Sequence, residues 1–144
     1  MATLPKIKKE IRTVKLSELT PYPGNPRHNN KSAKMVAKSI QEYGYINPIV
    51  VDENLVVLAG NTRLKALKIL QIEEADVLVV SGLSEAQAAG FVIADNRIGE
   101  YSKWNMAGLT RMVDGKEVNS EFLEEIGIRS VDKMKEELED LINS

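Results

Sequence analysis

Leu55-Val56-Val57-Leu58-Ala59-Gly60-Asn61-Thr62-Arg63-Leu64-Lys65-Ala66-Leu67-Lys68-Ile69-Leu70 is the stretch on which the fold turns. Its first four residues are valine and leucine only, which suits a strand buried among neighbours. Over 62–70 the rhythm changes: Leu64, Leu67 and Leu70 recur on one face of a helix. Gly60 stands at the junction, where a residue without a Cβ lets the chain turn sharply and lets another group approach the backbone. A strand that ends in glycine and opens a helix is a building unit of α/β folds.

The same junction has chemistry. The first amides of a helix have no acceptor inside it and carry about half a positive charge, so they favour a bound anion. Arg63 falls in the first turn with a planar, permanently charged fork suited to phosphate oxygens. Arginine at that end opposes the helix dipole, a conflict that a bound phosphate removes. The pattern of Gly60-Asn61-Thr62-Arg63 is short, and an ordinary strand-to-helix turn whose arginine pairs with a nearby acid satisfies it equally.

Outward from this unit, the three polar residues Asp52-Glu53-Asn54 separate 55–58 from another apolar run, 48–51, and predict a hairpin. Upstream, Asn29 or Asn30 can cap a helix over 31–43, with Val36, Ile40 and Tyr43 on its buried face and Gly44 as its stop. Pro21, Pro23 and Pro26, with Gly24 and Asn25, exclude helix before it. A short strand is expected at 13–16, after a mobile charged arm over 1–12. Downstream, 75–80 reads as a strand. Ser84 and Gln87 make a capping box for a helix running to about Asp95 or Asn96. Helical patterns follow at 105–113, 120–126 and 131–142, the last with Met134, Leu138, Leu141 and Ile142 on one side. The expected fold is α/β (α+β): a small mixed sheet with packed helices and a helical C-terminal extension.

The 144-residue chain is 43% hydrophobic, enough for one globular core. It has no cysteine and a single histidine, His28, which removes thiol nucleophiles, disulfides and cysteine-based zinc sites and fits a reducing, cytoplasmic compartment. Residues 1–16 lack the apolar core of a signal peptide, and no apolar run approaches the roughly 20 residues of a membrane span. Charge is uneven: residues 1–38 hold nine Lys/Arg against two acids, and residues 114–144 hold ten acids against four bases. A basic front suits a polyanion such as DNA; two solvated faces that attract each other or another copy of the chain account for it as well. Aromatic content of 5% offers little for base stacking.

Further segments fall in a telling order: Asn25-Pro26-Arg27 before the first helix, Gly44-Tyr45-Ile46-Asn47-Pro48-Ile49 after it, Gly60-Asn61-Thr62-Arg63-Leu64-Lys65-Ala66 at the second, and Asp95-Asn96-Arg97 closing the third. Together they resemble the N-terminal domain of the ParB/sulfiredoxin superfamily over residues 13–113. Ala94-Asp95-Asn96-Arg97-Ile98 followed by Trp104 is similar to the ParB-like domains found beside phage and plasmid DNA methyltransferases. The resemblance implies a nucleotide, CTP or ATP, with its phosphates on Gly60, Asn61, Thr62 and Arg63, and with Arg27 reaching them. It implies Gly44, Tyr45, Ile46, Asn47 and Pro48 as the lining of the nucleotide and Asp95 and Asn96 as oxygen ligands of Mg2+. Thr62 stands where partition proteins usually carry a second arginine, so one positive charge is missing. Sulfiredoxin's cysteine is absent from the turn, which excludes sulfinic-acid reduction.

Three classes of function follow. One is a nucleotide-binding module, with slow hydrolysis, serving DNA partition, DNA modification or phage and plasmid regulation, with DNA met through residues 1–38 or a partner protein. Another is an enzyme of the same fold, a nuclease or small-molecule kinase, although Glu18 is the only acid in a plausible N-terminal position for a kinase. The third is an assembly module with a degenerate pocket, whose acidic 131–142 helix meets a partner or another copy.

Overall fold

The computed structural model describes residues 3–24, 30–99, 111–112, 114–125, 140 and 142–143. The chain divides into two compact units, Met1–Glu100 and Tyr101–Ser144. In the first, a sheet is built from β1 (Lys8–Lys15), β2 (Ile49–Val51), β3 (Val57–Ala59) and β4 (Glu74–Ser81), in the spatial order β1-β4-β2-β3. β4 pairs antiparallel with β1 and parallel with β2, and β2 pairs antiparallel with β3, so the sheet is mixed. The helices are α1 (Asn30–Tyr43), α2 (Asn61–Ile69) and α3 (Glu85–Gly99).

Strand alternation gives each side of the sheet its own core. Ile49, Val51, Val57, Val77 and Val79 face one way and are buried with Leu64 and Leu67 of α2. Leu58 and Val80 face the other way and form a smaller cluster with Val92 of α3. The phosphate-turn candidate therefore sits where β3 leaves the sheet for the better-packed side.

Several boundaries differ from the sequence-based expectation. β1 starts at Lys8, so residues 8–12, expected in a mobile arm, belong to the sheet; the long β4 offers a partner to each, from Lys8↔Ser81 to Arg12↔Val77. The hairpin loop is longer than three residues. Asp52 accepts from the amides of Asn54 and Val56, both at 2.9 Å, and Leu55 takes a positive φ of 62°. Leu55 and Val56 are thereby held out of β3; Val56 bridges to Thr20 instead. On α1 the buried residues are Ala33 and Ala37, with Ile40 partly buried against the core, while Tyr43 is 50% exposed. α1 packs on α2, where Ala66 is also buried, and small residues let two helices approach closely.

Leu64 and Leu67 are buried as expected, and Leu70, just past the helix, is half-buried. Gly44 stops α1 in a left-handed conformation, φ 91°, its amide donating to the Ile40 carbonyl at 2.8 Å. The capping box forms: Gln87 N donates to Ser84 Oγ at 3.1 Å and Ser84 N to Gln87 Oε1 at 2.9 Å. α3 runs through Gly99, so Asp95, Asn96 and Arg97 lie within its last turns and do not close it; nothing before Gly99 breaks the helix.

In the second unit the described helix is α4 (Ser120–Glu125), close to the expected 120–126. Asn119 caps it, accepting from Phe122 N at 3.1 Å, and the Phe122 side chain is buried. The helix expected over 105–113 is described only at Arg111 and Met112, and that over 131–142 only at Asp140 and Ile142; these four are helical. The rest of both spans, with Trp104, lies outside the described residues.

Candidate functional site

Gly60 is the N-cap of α2, at φ 104° and ψ 25°, and its carbonyl accepts the first helical bond from Leu64 N at 2.8 Å. That left-handed geometry is nearly free for glycine and strained for other residues. The following amides, those of Asn61, Thr62 and Arg63, have no acceptor four residues earlier within the helix. The first turn contains no acid. Local electrostatics there are positive, as the sequence implied.

The Arg63 side chain bends back across this turn. A Cβ placed on Gly60 would lie 3.0 Å from Arg63 Nη2, 3.1 Å from Nε and 3.2 Å from Cζ. The guanidinium thus lies against the bare face of the glycine, which supplies a second reason for glycine at position 60. Nη2 donates to the Pro48 carbonyl at 3.1 Å. That partner is a backbone oxygen and not the acid that an ordinary turn would have supplied. Arg63 Nε and Asn61 Oδ1 are both buried without a hydrogen-bond partner. Two orphaned polar atoms, a donor and an acceptor, at one helix start are unusual, because buried polar groups are nearly always paired.

The Pro48 bond joins the turn to the segment expected to line the nucleotide. Within it, Ile46 and Asn47 are exposed, and Tyr45 and Pro48 are half-buried. The Tyr45 side chain packs against the core, and its hydroxyl donates to the Asp76 carbonyl and accepts from Ile49 N, both at 2.8 Å. Burial pushes the phenol above its ordinary value and Asp76 adds to this, while the Ile49 amide and the Arg63 charge pull it partly back. Tyr45 therefore serves as a strut, with its polar end turned to backbone.

Asp95 is exposed and Asn96 half-buried on α3. One turn earlier, Val92 shares a cluster with Leu58, two residues before Gly60, so α3 packs on the side of the sheet opposite to α2. Consecutive helical residues diverge by about 100°, which fits their unequal burial. Among the described residues no three Asp, Glu or His side chains gather as a metal-binding group. The pair offers two oxygen donors, which suits an ion completed by phosphates and waters, as magnesium commonly is. Glu18 is exposed in a short 3-10 helix, Leu16–Glu18. Arg27 and His28 lie outside the described residues.

Two clefts mark the described surface elsewhere. One, of about 360 Å³, is lined by Tyr22, Asp52, Glu53 and Ser84 among others; the other, of about 550 Å³, lies between Lys15 and Lys68. Neither includes Gly60–Arg63. Sequence reasoning missed the Pro48 carbonyl as partner of Arg63, since no side-chain type signals a backbone acceptor. It also missed the inward role of the Tyr45 hydroxyl, for which a tyrosine just before a buried strand is the available sign.

A sequence profile of the ParB N-terminal domain matches residues 2–97. The chain is similar to the ParB-like nuclease domain-containing protein YnaK of Escherichia coli, at 36% identity over 73 residues, which is 50% of this chain and 84% of that protein. It is also similar to a probable chromosome-partitioning protein ParB of Rickettsia felis, at 31% identity over 71 residues, 48% of this chain but only 25% of that protein. Among solved structures, the C-terminally truncated ParB of Caulobacter crescentus complexed with CTP-γ-S has the same fold. It matches with a TM-score of 0.62 and 19% identity over 87% of this chain and 74% of the other.

Proposed function

The chain belongs to the ParB N-terminal domain family, which its residues 2–97 match, and we propose that it binds a nucleoside triphosphate, CTP first and ATP second, by its phosphates at the start of α2. The observation that carries this reading is Arg63 bent across Gly60 with its Nε buried and unpaired, together with the unpaired side-chain oxygen of Asn61 two residues earlier. A glycine at an open helix start, an arginine in contact with it and two unsatisfied polar atoms are what an anionic ligand with further polar groups would complete. The neighbour from Caulobacter was solved with CTP-γ-S, which favours cytidine as the base.

In this reading Gly60, Asn61 and Thr62 offer backbone amides, Arg63 offers charge, Gly44–Pro48 line one side, and Arg27, which precedes α1 in the sequence, adds a second charge. Asp95 and Asn96 would hold magnesium, which would neutralise phosphate charge that one arginine leaves uncovered. DNA partition or modification is the proposed setting. The DNA contact falls to a partner protein or to the basic front, where Lys8, Lys9, Arg12 and Lys15 project from the exposed edge strand β1. Hydrolysis is proposed only as a slow accompaniment.

One observation favours a module without ligand: Arg63 already has a partner in the Pro48 carbonyl. Thermal shift decides between the two, using CTP, ATP, ADP and GTP with and without magnesium. Ligand at about a hundred times its Kd adds roughly 2.7 kcal/mol of stability, a rise of several degrees. Arg63→Ala should abolish that rise and, unlike a purely ligand-facing residue, should also lower the unliganded Tm, since it loses the Pro48 bond. A panel in which no nucleotide raises the Tm of the unaltered chain ends the nucleotide reading.

A further inference from the structure

The Pro48–Ile49 peptide unit is held at both ends. Its N–H, on Ile49, donates to the Tyr45 hydroxyl at 2.8 Å, and its C=O, on Pro48, accepts from Arg63 Nη2 at 3.1 Å. A trans peptide is planar, with its N–H and C=O pointing in opposite directions, so fixing one fixes the other. The structure contains no cis peptide bond among its described residues. The orientation of the carbonyl that receives Arg63 is therefore set, through one rigid plane, by the tyrosine.

The tyrosine is itself fixed by the sheet. β2 and β4 pair in parallel with Ile49 opposite Val77, a register that allows a rung between the Ile49 amide and the carbonyl of the preceding residue, Asp76. Both groups end on the phenolic oxygen: Ile49 N donates to it, and it donates to the Asp76 carbonyl, each at 2.8 Å. The phenol is spliced into the first rung of the parallel ladder. Without the hydroxyl, the rung either closes to a direct N–H···O=C bond or opens to solvent at its exposed Asp76 end. In both cases the Ile49 amide loses the phenol that fixes its direction, and the Pro48 carbonyl in the same plane loses that restraint with it.

We propose that Tyr45 is a positioning residue that aims Arg63 at the phosphate turn, acting through the Pro48–Ile49 peptide plane. Its hydroxyl touches no ligand; its effect on ligand affinity is indirect. The consequence for nucleotide binding rests on the proposed function above, whereas the aiming of Arg63 does not.

The test is Tyr45→Phe, which keeps the packed ring and removes only the oxygen, read in two independent ways. The first needs no ligand: the Arg63 Nε–H resonance in 15N-labelled protein, assigned by its loss in Arg63→Lys. In the unaltered chain a buried Nε–H should give a distinct, slowly exchanging signal. In Tyr45→Phe it should move to the position and exchange rate of solvent-exposed arginines. The second is CTP titration, where loss of an aimed, charged hydrogen-bond donor should weaken binding about tenfold or more. An Arg63 signal unchanged in Tyr45→Phe overturns the proposal. If the phenylalanine variant does not fold, the unaltered chain still decides: an Arg63 Nε–H indistinguishable from exposed arginines overturns it too. Loss of the Arg63 signal in a protein that binds no nucleotide supports the positioning role and removes the proposed function alone.

Discussion

Replacing Gly60 by alanine tests the local geometry without reference to any ligand. Two costs are expected. The first is backbone strain: φ 104° is a left-handed value that an L side chain rarely adopts, and holding alanine there costs about 1–2 kcal/mol. The second is Arg63. The new methyl would lie 3.0–3.2 Å from Nη2, Nε and Cζ. The far end of an arginine moves cheaply, so the overlap itself adds little. Moving it, however, forfeits the bond to the Pro48 carbonyl, a charged-to-neutral hydrogen bond worth about 1.5–3 kcal/mol. Together the loss is about 2.5–5 kcal/mol, or roughly 8–15 °C in Tm at about 3 °C per kcal/mol for a chain of this size. The assay is urea denaturation of Gly60→Ala, Arg63→Ala and the double variant. Because the second cost requires the arginine, Gly60→Ala should cost only about 1–2 kcal/mol when Arg63 is already alanine. A Gly60→Ala loss below about 0.5 kcal/mol, or full additivity of the two substitutions, would refute the geometry.

Ser84→Ala should lower stability by about 1 kcal/mol in urea denaturation, through loss of the bond from Gln87 N, and leave any nucleotide-induced thermal shift unchanged, since Ser84 caps the end of α3 far from Asp95 and Asn96. Stability measured against pH should include a term from Tyr45. Its folded pKa is raised, so its contribution is complete below the ordinary value near 10 and is lost as pH climbs above it through the folded value. The difference between the unaltered chain and Tyr45→Phe isolates this term from lysine titration; a difference that stays flat from neutral pH to about 11 would contradict it.

Much of the architecture was legible because its signals are local. The Leu64, Leu67 rhythm, the Ser84–Gln87 capping box and the Gly44 stop each act within a few residues, and each appears where expected, whereas the 55–58 run gives a strand only from Val57. What the sequence hid depends on partners distant along the chain. β1 begins at Lys8 because β4 is long enough to pair with it, which the mostly polar lysine-rich segment does not announce. The buried face of α1 carries Ala33 and Ala37 because it meets another helix closely, whereas an amphipathic reading favours the larger Val36 and Tyr43. In the site, residue types pointed to Gly60 and Arg63, and the structure brings Pro48 to them. That contact spans fifteen residues and ends on a main-chain oxygen, so it has no compositional trace.

If the proposed function holds, Arg63 is the one arginine at the start of α2 to meet the phosphates. A cation at a helix N-terminus is disfavoured by about 0.3–1 kcal/mol, and no acid in the first turn of α2 offsets this. The Pro48 carbonyl offsets part of it and restrains the side chain at one corner of its fork. A free arginine loses rotamer entropy, on the order of 0.5–1.5 kcal/mol, when it closes on a ligand; one already restrained loses less. Under the proposed function, order at Arg63 would offset part of the charge that Thr62 does not supply, and the Ile49 and Tyr45 hydrogen bonds would be its source. Stability and binding are then linked at one peptide plane. A substitution that loosens it weakens the fold a little and the site more, and the ratio of those two effects distinguishes a binding turn from a merely well-packed one.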